Sequence, residues 1–560
     1  MCDSDWSSDV CSSDLFAQLQ VDLADFYAGS ASETMVEEHR GNLNADGSFS
    51  DIAYGDSQSY ETHLARLTGM ARMYVSDNAS LGGDASLLAD LANSLDWWLT
   101  EDYIDWNWWW TYIGYPGRLA PIAAAAGPVL ETEYPAVFDK LVGYYTRVYD
   151  HMQVNPHGGG ANLADMSYNA LIGAILEQDA TKMDTIREIG FEPVLQVLSS
   201  TTNADGLRED GSIYSHGPQL YNATYGHELL NSSLNGIALL RDTIWDLGDD
   251  AIPFVEKILL EGARYMTYGN WFDFNAMGRA VSRRNSHIQG RDFLNDIELL
   301  LDLNPDRVEE LEKLHDKIRY DGFRSSGKTV GVRSFWYTDF LTKQTKDYYT
   351  SVRMVSSRTE YNESGNGEGL KHRYFGDGVN FVLVDGAEYD SIQPLWNYER
   401  LPGITAEQDG TVQPESDWGV RGRADFAGSV HDGSSAVAAM RLDHEGLTGW
   451  KSWFLFDEVV VALGSGISAP SAGQPVYTTL NQSIANTDAT YSQLSAEVDL
   501  SPGQSAELNG AAWVWQDNIG YILPEGNDSA LVDVATVSGS WADLGTAGDV
   551  TVEEDVFTLA

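Results

Sequence analysis

In the stretch "DGSIYSHGPQLYNATYGHELLNSS", residues 210–233, the imidazole of His216 and the phenol of Tyr225 stand nine positions apart among Gly, Asn and Ser. Both groups exchange protons, an unperturbed His near pH 6.5 and a Tyr near pH 10. Two readings follow: a hydrogen-bonded pair that ties two helices together, or a proton-transfer pair that faces a substrate. A second stretch, "NAMGRAVSRRNSHIQGR" at 275–291, carries Arg279, Arg283, Arg284 and Arg291 with no acidic residue between 275 and 290. Guanidinium groups grip carboxylates and sulfates through paired hydrogen bonds, and the spacing of Arg279 and Arg283 predicts a shared helix face. In so acidic a chain, the alternative is pairing with its own carboxylates.

Three further stretches have suitable chemistry. "DWNWWWTYIGYPGRL" (105–119) groups Trp106, Trp108, Trp109 and Trp110 beside Asn107. Indole faces stack on the C–H faces of sugar rings, and they also fill cores. Four Trp in five residues exceed what one helix face buries, so an exposed cleft wall and a core corner both stay open. In "NPHGGGANLADMSYNALIGAIL", three glycines precede Asn162 at an expected helix start, where Asn serves as an N-cap or as a carboxylate ligand beside free helix N–H groups. "TEYNESGNGEGLKHRYFGDG" sets Glu363, Asn366 and Glu368 in a Gly-rich turn between strands, ordinary loop chemistry when taken alone.

The elements that must position these groups divide into two kinds. From about 20 to 320 the apolar spacing is helical, with Leu64, Leu67, Ala71 and Tyr74 on one face and Leu88, Leu91, Leu95 and Trp98 on another. Similar segments fall near 117–128, 133–153, 162–178, 183–199, 219–246, 253–268 and 290–318, and such a series predicts an α/α array, toroid or solenoid. After about 325, "GVRSFWYTDFLT", "YTSVRMVSSRTEY", "VNFVLVDGAEY" and "KSWFLFDEVVVALG" alternate, or run β-branched and aromatic, between Asp-Gly turns. They predict antiparallel β-sandwich sheets. The expected organisation is a helical domain over 16–322 and a β-sandwich domain over 323–560. The opening "MCDSDWSSDVCSSDL" (1–15) has neither a basic nor an apolar signal-peptide region, and is read as a non-native leader such as a translated adapter remnant. The last stretch, "VEEDVFTLA", is expected to be a strand of a sheet that continues beyond it.

Composition narrows the chemistry. A formal charge of −50 with only 34 Lys plus Arg disfavours nucleic acid. Hydrophobic residues at 43%, with 17 Trp and 28 Tyr, mark a folded protein. Both cysteines, Cys2 and Cys11, lie in the leader, so the body has no thiol nucleophile, disulfide framework or Cys-ligated zinc. No apolar run is long enough for a bilayer.

Taken together and in order, "NWWWTYIGYPGRL", "GGANLADMS", "DGSIYSHGPQLYNATYG", "MGRAVSR", "NESGNGEGLKHRYFGDG" and "YDSIQPLWNYERLPGIT" resemble polysaccharide lyase family 8, the group containing chondroitin AC, hyaluronate and xanthan lyases. The likeness to the chondroitin AC members is strongest, through "ESGN" and "PLWNYERLPGIT". The resemblance spans roughly residues 30–560 and implies an α/α toroid followed by β-sandwich sheets. It implies β-elimination on a uronic-acid polysaccharide, leaving a C4–C5 double bond, with Asn162, His216, Tyr225, Arg279 and Glu363 as the catalytic group. In that scheme Asn162 tames the substrate carboxylate with His216 nearby. Tyr225 is base and then acid, its pKa lowered by Arg279, and Glu363 holds Arg279 in place. Trp108 and Trp109 with Asn107 would form the sugar platform, and Arg283, Arg284 and Asn366 further substrate contacts. No cofactor is required. Chondroitin AC-type sequences carry acidic calcium ligands around "WNYERLPGITAEQ"; here Asn397 and Gln408 stand at two of those places, leaving Asn397 and Glu399 as the only candidate ligands. The implied partner is an acidic polysaccharide, without nucleic acid or membrane, and the implied protein is a secreted or periplasmic monomer. Chondroitin or hyaluronan is the expected substrate, with xanthan and alginate as alternatives. The competing classes are an α/α-toroid glycoside hydrolase, which needs two carboxylates flanking the bond, and a non-catalytic polysaccharide-binding protein.

Overall fold

The computed structural model describes residues 8–77, 79–157, 159–199, 203–319, 330–470, 473–493, 496–510, 512–524 and 529–560. The expected domain boundary at 322/323, residues 1–7 of the leader and Cys2 lie outside the described residues. The chain forms two compact units, one of Met1–Gln196 with Asn231–Ala251 and one of Val197–Leu230 with Ile252–Ala560.

The first unit is helical. Its helices include Ser8–Phe26, Glu33–Gly41, Ser57–Tyr74, Ala85–Glu101, Tyr115–Glu133, Pro135–Val154 and Gly160–Glu177. Ser57–Tyr74 starts at a capping box on Asp56, and the Asp84 side chain caps Ala85–Glu101. Leu64, Leu67 and Ala71 are buried as their spacing predicts, and so are Leu88, Leu91, Leu95 and Trp98. Ser8–Phe26 runs straight through residue 15 and buries Phe16, Leu19 and Leu23. Gly160–Glu177 is buried on every side from Gly160 to Leu176, as its Ala-rich and Leu-rich sequence allows.

The second unit carries the sheets. Gly331–Phe335, Phe340–Gln344, Tyr349–Arg353 and Val382–Leu383 form one four-stranded antiparallel sheet. Ala427–His431, Ala436–His444, Leu447–Leu455 and Val460–Ser468 form another. Val332, Leu341 and Val352 of the first pack against Ala438, Met440, Leu442 and Trp453 of the second, a sandwich core. Two further four-stranded sheets enclose a second core, with Val514, Leu523, Val532, Val534 and Phe557 inside. The helix expected over 290–318 is two, Phe293–Asp302 and Val308–Arg319, because Asn304 takes a left-handed conformation (φ 53°) just before Pro305. Among the described residues no helix is long and apolar enough to cross a membrane.

Candidate active site

In the second unit a short hairpin, Gly206–Leu207 with Ile213–Tyr214, delivers the chain to His216. His216 has φ 57°, a costly value for a side chain with a Cβ. The Asp205 carboxylate holds it there, accepting the backbone N–H groups of His216 at 2.9 Å and Gly217 at 3.1 Å. Tyr225 is the second residue of the helix Thr224–Leu240.

These two side chains converge with Arg279 on Glu363, which is almost fully buried. The Glu363 carboxylate accepts from His216 Nδ1 at 2.9 and 3.0 Å, Tyr221 Oη at 2.9 Å and Gln219 Nε2 at 3.2 Å, and is in close contact with Arg279 Nη1. Four donors nearly saturate its lone pairs. Burial alone would raise the Glu363 pKa, but His216, Arg279 and Tyr221 outweigh it and hold the carboxyl below its usual value. An ionised Glu363 in turn keeps the His216 proton on Nδ1, so a neutral His216 presents Nε2 as an acceptor.

Arg279 sits on the tight turn Gly278–Ser282. Gly278 has φ 55°, and a Cβ there would overlap the Tyr221 ring. The Tyr221 hydroxyl accepts the Arg279 backbone N–H at 3.0 Å while donating to Glu363. Arg279 spreads its fork: Nη1 to Glu363, Nε to Glu368 at 3.2 Å and Nη2 to the Tyr225 oxygen at 3.0 Å. The His216 and Tyr225 rings meet edge to face at 4.7 Å. Trp418 closes the group, 5.2 Å from the His216 ring and 5.2 Å from the Arg279 guanidinium.

The expectation that Arg279 lowers the Tyr225 pKa is corrected in its net sign. Burial raises the phenol and dominates, while Arg279 opposes it and the Glu363 charge adds to it. The shared helix face of Arg279 and Arg283 is also corrected. Arg283 follows the turn in extended conformation, and its guanidinium is held by Glu368 at 2.8 and 2.9 Å. Arg284 is exposed. Asn366, also exposed, takes φ 52° in the turn closed by Gly365 and Glu368, which brings Glu368 back toward both arginines.

The other candidates belong to the helical unit. Asn162 is buried in the first turn of Gly160–Glu177, but the N-cap is Gly159 at φ 90°, so the capping role expected of Asn162 is overturned. Asn107 spends its side-chain oxygen on the Trp109 N–H at 3.1 Å. Trp108 stacks on His157, centroids 3.4 Å apart and planes 3° from parallel, and His157 meets His151 through their Nε2 atoms at 2.7 Å. Trp109 packs edge to face on Trp110 at 5.1 Å, over Gly114, where a Cβ would approach the two rings to 2.7 and 2.8 Å. All three of Trp108, Trp109 and Trp110 are half-buried, whereas Trp106 is exposed. Half-burial fits a packing role for part of each ring and leaves the rest of it accessible.

The calcium implied near 397–409 does not fit the residues present. Asn397 Oδ1 accepts the Glu399 N–H at 3.0 Å, and Glu399 Oε1 accepts the N–H groups of Asp409 at 3.0 Å and Gly410 at 2.5 Å. Gln408 accepts from Arg400 Nε at 2.7 Å and donates to the Glu399 carbonyl at 3.1 Å. Asn397 Oδ1 and Glu399 Oε1 are engaged by protein donors, and with neutral Asn397 and Gln408 in place of carboxylates, of the three only Glu399 supplies charge, too little for a hard cation.

Sequence reasoning missed Asp205, Gln219 and Tyr221, gave Glu368 no role and passed over Trp418. Gln219 and Tyr221 lie inside the His216–Tyr225 motif; nothing local marks Trp418.

Comparison with known proteins agrees across the whole chain. The description "Polysaccharide lyase family 8, N terminal alpha-helical domain" matches residues 6–319, and "Polysaccharide lyase family 8, super-sandwich domain" matches 330–560. Chondroitinase-AC of Pedobacter heparinus is 29% identical over 540 residues, covering 94% of this chain and 74% of that protein. Xanthan lyase of a Bacillus species is 25% identical over 522 residues, covering 84% of this chain and 54% of that protein. A solved chondroitinase AC lyase, studied in oligosaccharide complexes, superposes with a TM-score of 0.87 at 27% identity, covering 97% of this chain and 80% of that one.

Proposed function

Since the chain belongs to polysaccharide lyase family 8, we propose that it cleaves a glycosaminoglycan of the chondroitin or hyaluronan type by β-elimination, with Tyr225 at the reacting carbon. The observation that carries this reading is the Tyr225 oxygen, 3.0 Å from Arg279 Nη2 and beside the His216 ring, both braced by Glu363. The names of the relatives support the substrate class.

The chemistry balances without an external reagent. The C5–H bond breaks, its electron pair becomes the C4–C5 double bond, and the C4–O bond to the next sugar breaks. The C5 proton passes to Tyr225 and from there to the departing oxygen, so the enzyme ends as it began. A carboxylate on C5 makes that proton weakly acidic, and the developing negative charge on the carboxylate oxygens must be met by donors fixed beforehand. We assign this to the Asn162 amide, as the family resemblance implies. Arg279 holds the phenol oxygen in line and supports its negative charge while the proton is away. The protein acts as a monomer on an acidic polysaccharide outside the cytoplasm.

Tyr225→Phe tests the assignment. It removes one oxygen from a pre-built site, so the near-ultraviolet absorbance of unsaturated ends should vanish on chondroitin and hyaluronan, while binding of the intact chain persists. Retained turnover would remove Tyr225 from the mechanism.

A further inference from the structure

Within the second unit a cavity that reaches Glu363 at one side is lined by Tyr361, Arg373, Glu415, Arg423 and His444, among others. His444 ends the strand Ala436–His444, and Glu445 follows in the tight turn to Leu447–Leu455. The side chains of Glu415, His444 and Glu445 each bring one ligand-type atom to within 4.8 Å of the others.

His444 has only 8% of its surface exposed. Its Nδ1 lies 2.5 Å from Asp377 Oδ2, and Asp377 is itself fixed by the Tyr361 hydroxyl at 2.7 Å. Asp377 therefore fixes the ring orientation and, in the neutral imidazole, keeps the proton on Nδ1 and leaves the lone pair on Nε2. That Nε2 is buried with no hydrogen-bond partner in the protein, a state that costs free energy unless something fills it. Next to it are two carboxylates close enough to each other for mutual contact. Arg373 touches Glu445 and Arg423 holds Glu415 at 2.8 Å, yet each carboxylate has a second oxygen. Glu415 and Glu445 lie close enough to share a proton in a side-chain hydrogen bond, and a bound cation would take that proton's place between them.

We propose that Glu415, His444 and Glu445 bind one divalent transition-metal ion, of which zinc is the natural probe, with Asp377 as the carboxylate that orients the histidine. One imidazole nitrogen and two carboxylate oxygens form a zinc-compatible set with a position left for water, and a carboxylate behind the ligating histidine is the usual supporting partner. The ion takes no part in the elimination. It ties the segment at Glu415 to the turn at Glu445, and three residues after Glu415 the same segment carries Trp418, which packs on Arg279 and His216. The site thus steadies the loop that covers the catalytic arginine.

The test uses the full chain, without a histidine tag, stripped with chelator and titrated calorimetrically with zinc chloride alone. One saturable ion per chain is expected, together with a zinc-dependent rise in melting temperature. The double variant E415Q/E445Q changes only exposed side chains; it should bind at least tenfold more weakly and lose the melting shift. H444Q should do the same if it folds, and the surface pair decides the matter if it does not. Absence of saturable binding, or wild-type affinity and stoichiometry in the double variant, would overturn the site, since zinc would then be on the acidic surface at large. Neither readout depends on lyase activity.

Discussion

Glu363→Gln is the sharpest perturbation of the proposed site. The substitution keeps size and shape, but swaps one acceptor oxygen for an NH2 in a place ringed by donors. If the amide oxygen stays with Arg279 and Tyr221, its NH2 faces His216 Nδ1 and Gln219 Nε2, formerly 2.9 and 3.2 Å from a carboxylate oxygen. If it flips, it faces the guanidinium. Removing one partner of a buried ion pair costs about 3–5 kcal/mol, and Arg279 keeps its second partner, Glu368 at 3.2 Å, so the lower end applies. About 3 kcal/mol, spent as misplacement of His216 and Arg279, corresponds to roughly a hundredfold in kcat/KM at 1.36 kcal/mol per decade. The loss should fall mainly on kcat, because Glu363 is buried and reaches substrate only through the groups it holds. Initial rates of unsaturated-end formation against substrate concentration, with circular dichroism to verify folding, give both parameters. A folded variant within threefold of wild type would refute the idea that this carboxylate organises the site.

Other expectations use the same coordinates. Glu368→Gln removes the bridge between Arg279 and Arg283 but leaves Glu363 in place, so its loss in kcat/KM should be smaller, roughly tenfold; a loss equal to that of Glu363→Gln would mean that the two carboxylates act as one unit. Burial pulls the His227 pKa down, but the Asp296 carboxylate at 2.9 Å reverses this and lifts it to about 9. A raised folded pKa gives stability that is complete below pH 6.5 and lost as pH climbs through 9, up to about 3 kcal/mol; urea titrations at pH 6 and 9.5 should show that difference in wild type and a much smaller one in His227→Gln. Trp108→Ala should raise KM roughly three- to tenfold with kcat nearly unchanged, as a platform that grips substrate and transition state alike would do; an unaltered KM would make Trp108 a packing residue for His157 only.

Much of this was legible because motif and geometry coincide. His216 and Tyr225 from one string and Arg279 from a second gather around the carboxylate of Glu363 from a third. Gln219 and Tyr221 lay within the first string, yet a buried Gln and Tyr have no signature until the acceptor they serve is known. Trp418 reaches Arg279 only through chain folding, and its own neighbours are plain loop residues. The misread elements have local causes. Gly278 takes a positive φ, which replaces the expected helix of Arg279 and Arg283 with a tight turn. The triple glycine before Asn162 supplies the cap itself, because φ 90° at Gly159 suits no other residue well. Alternation is present in the strands Ala436–His444 and Leu447–Leu455, which bury every second residue, although the sequence reading names only the stretch from Lys451. It says nothing for Val460–Ser468, whose side chains are exposed or half-exposed along their whole length.

The raised Tyr225 pKa changes how the proposed reaction has to be understood. Burial raises the phenol most and the Glu363 charge adds to it, while Arg279, through its charge and its 3.0 Å hydrogen bond, and Arg283 oppose it without winning. With the phenol raised above its usual value, its neutral form is favoured at neutral pH, and using Tyr225 as base adds to the barrier. Enzymes of ordinary power lower barriers by about 8–23 kcal/mol, so the cost is tolerable, but it must be recovered elsewhere. The donors able to recover it are those that face the substrate carboxylate, because they act on charge that exists only once C5 begins to lose its proton. The carboxylates that pin Arg279 make it a poor switch for ionising tyrosine and a good clamp for aligning it. On this argument the resting enzyme is set up first as the acid that will protonate the leaving oxygen, and the substrate itself, once its carboxylate is bound, makes the same phenol competent as the base.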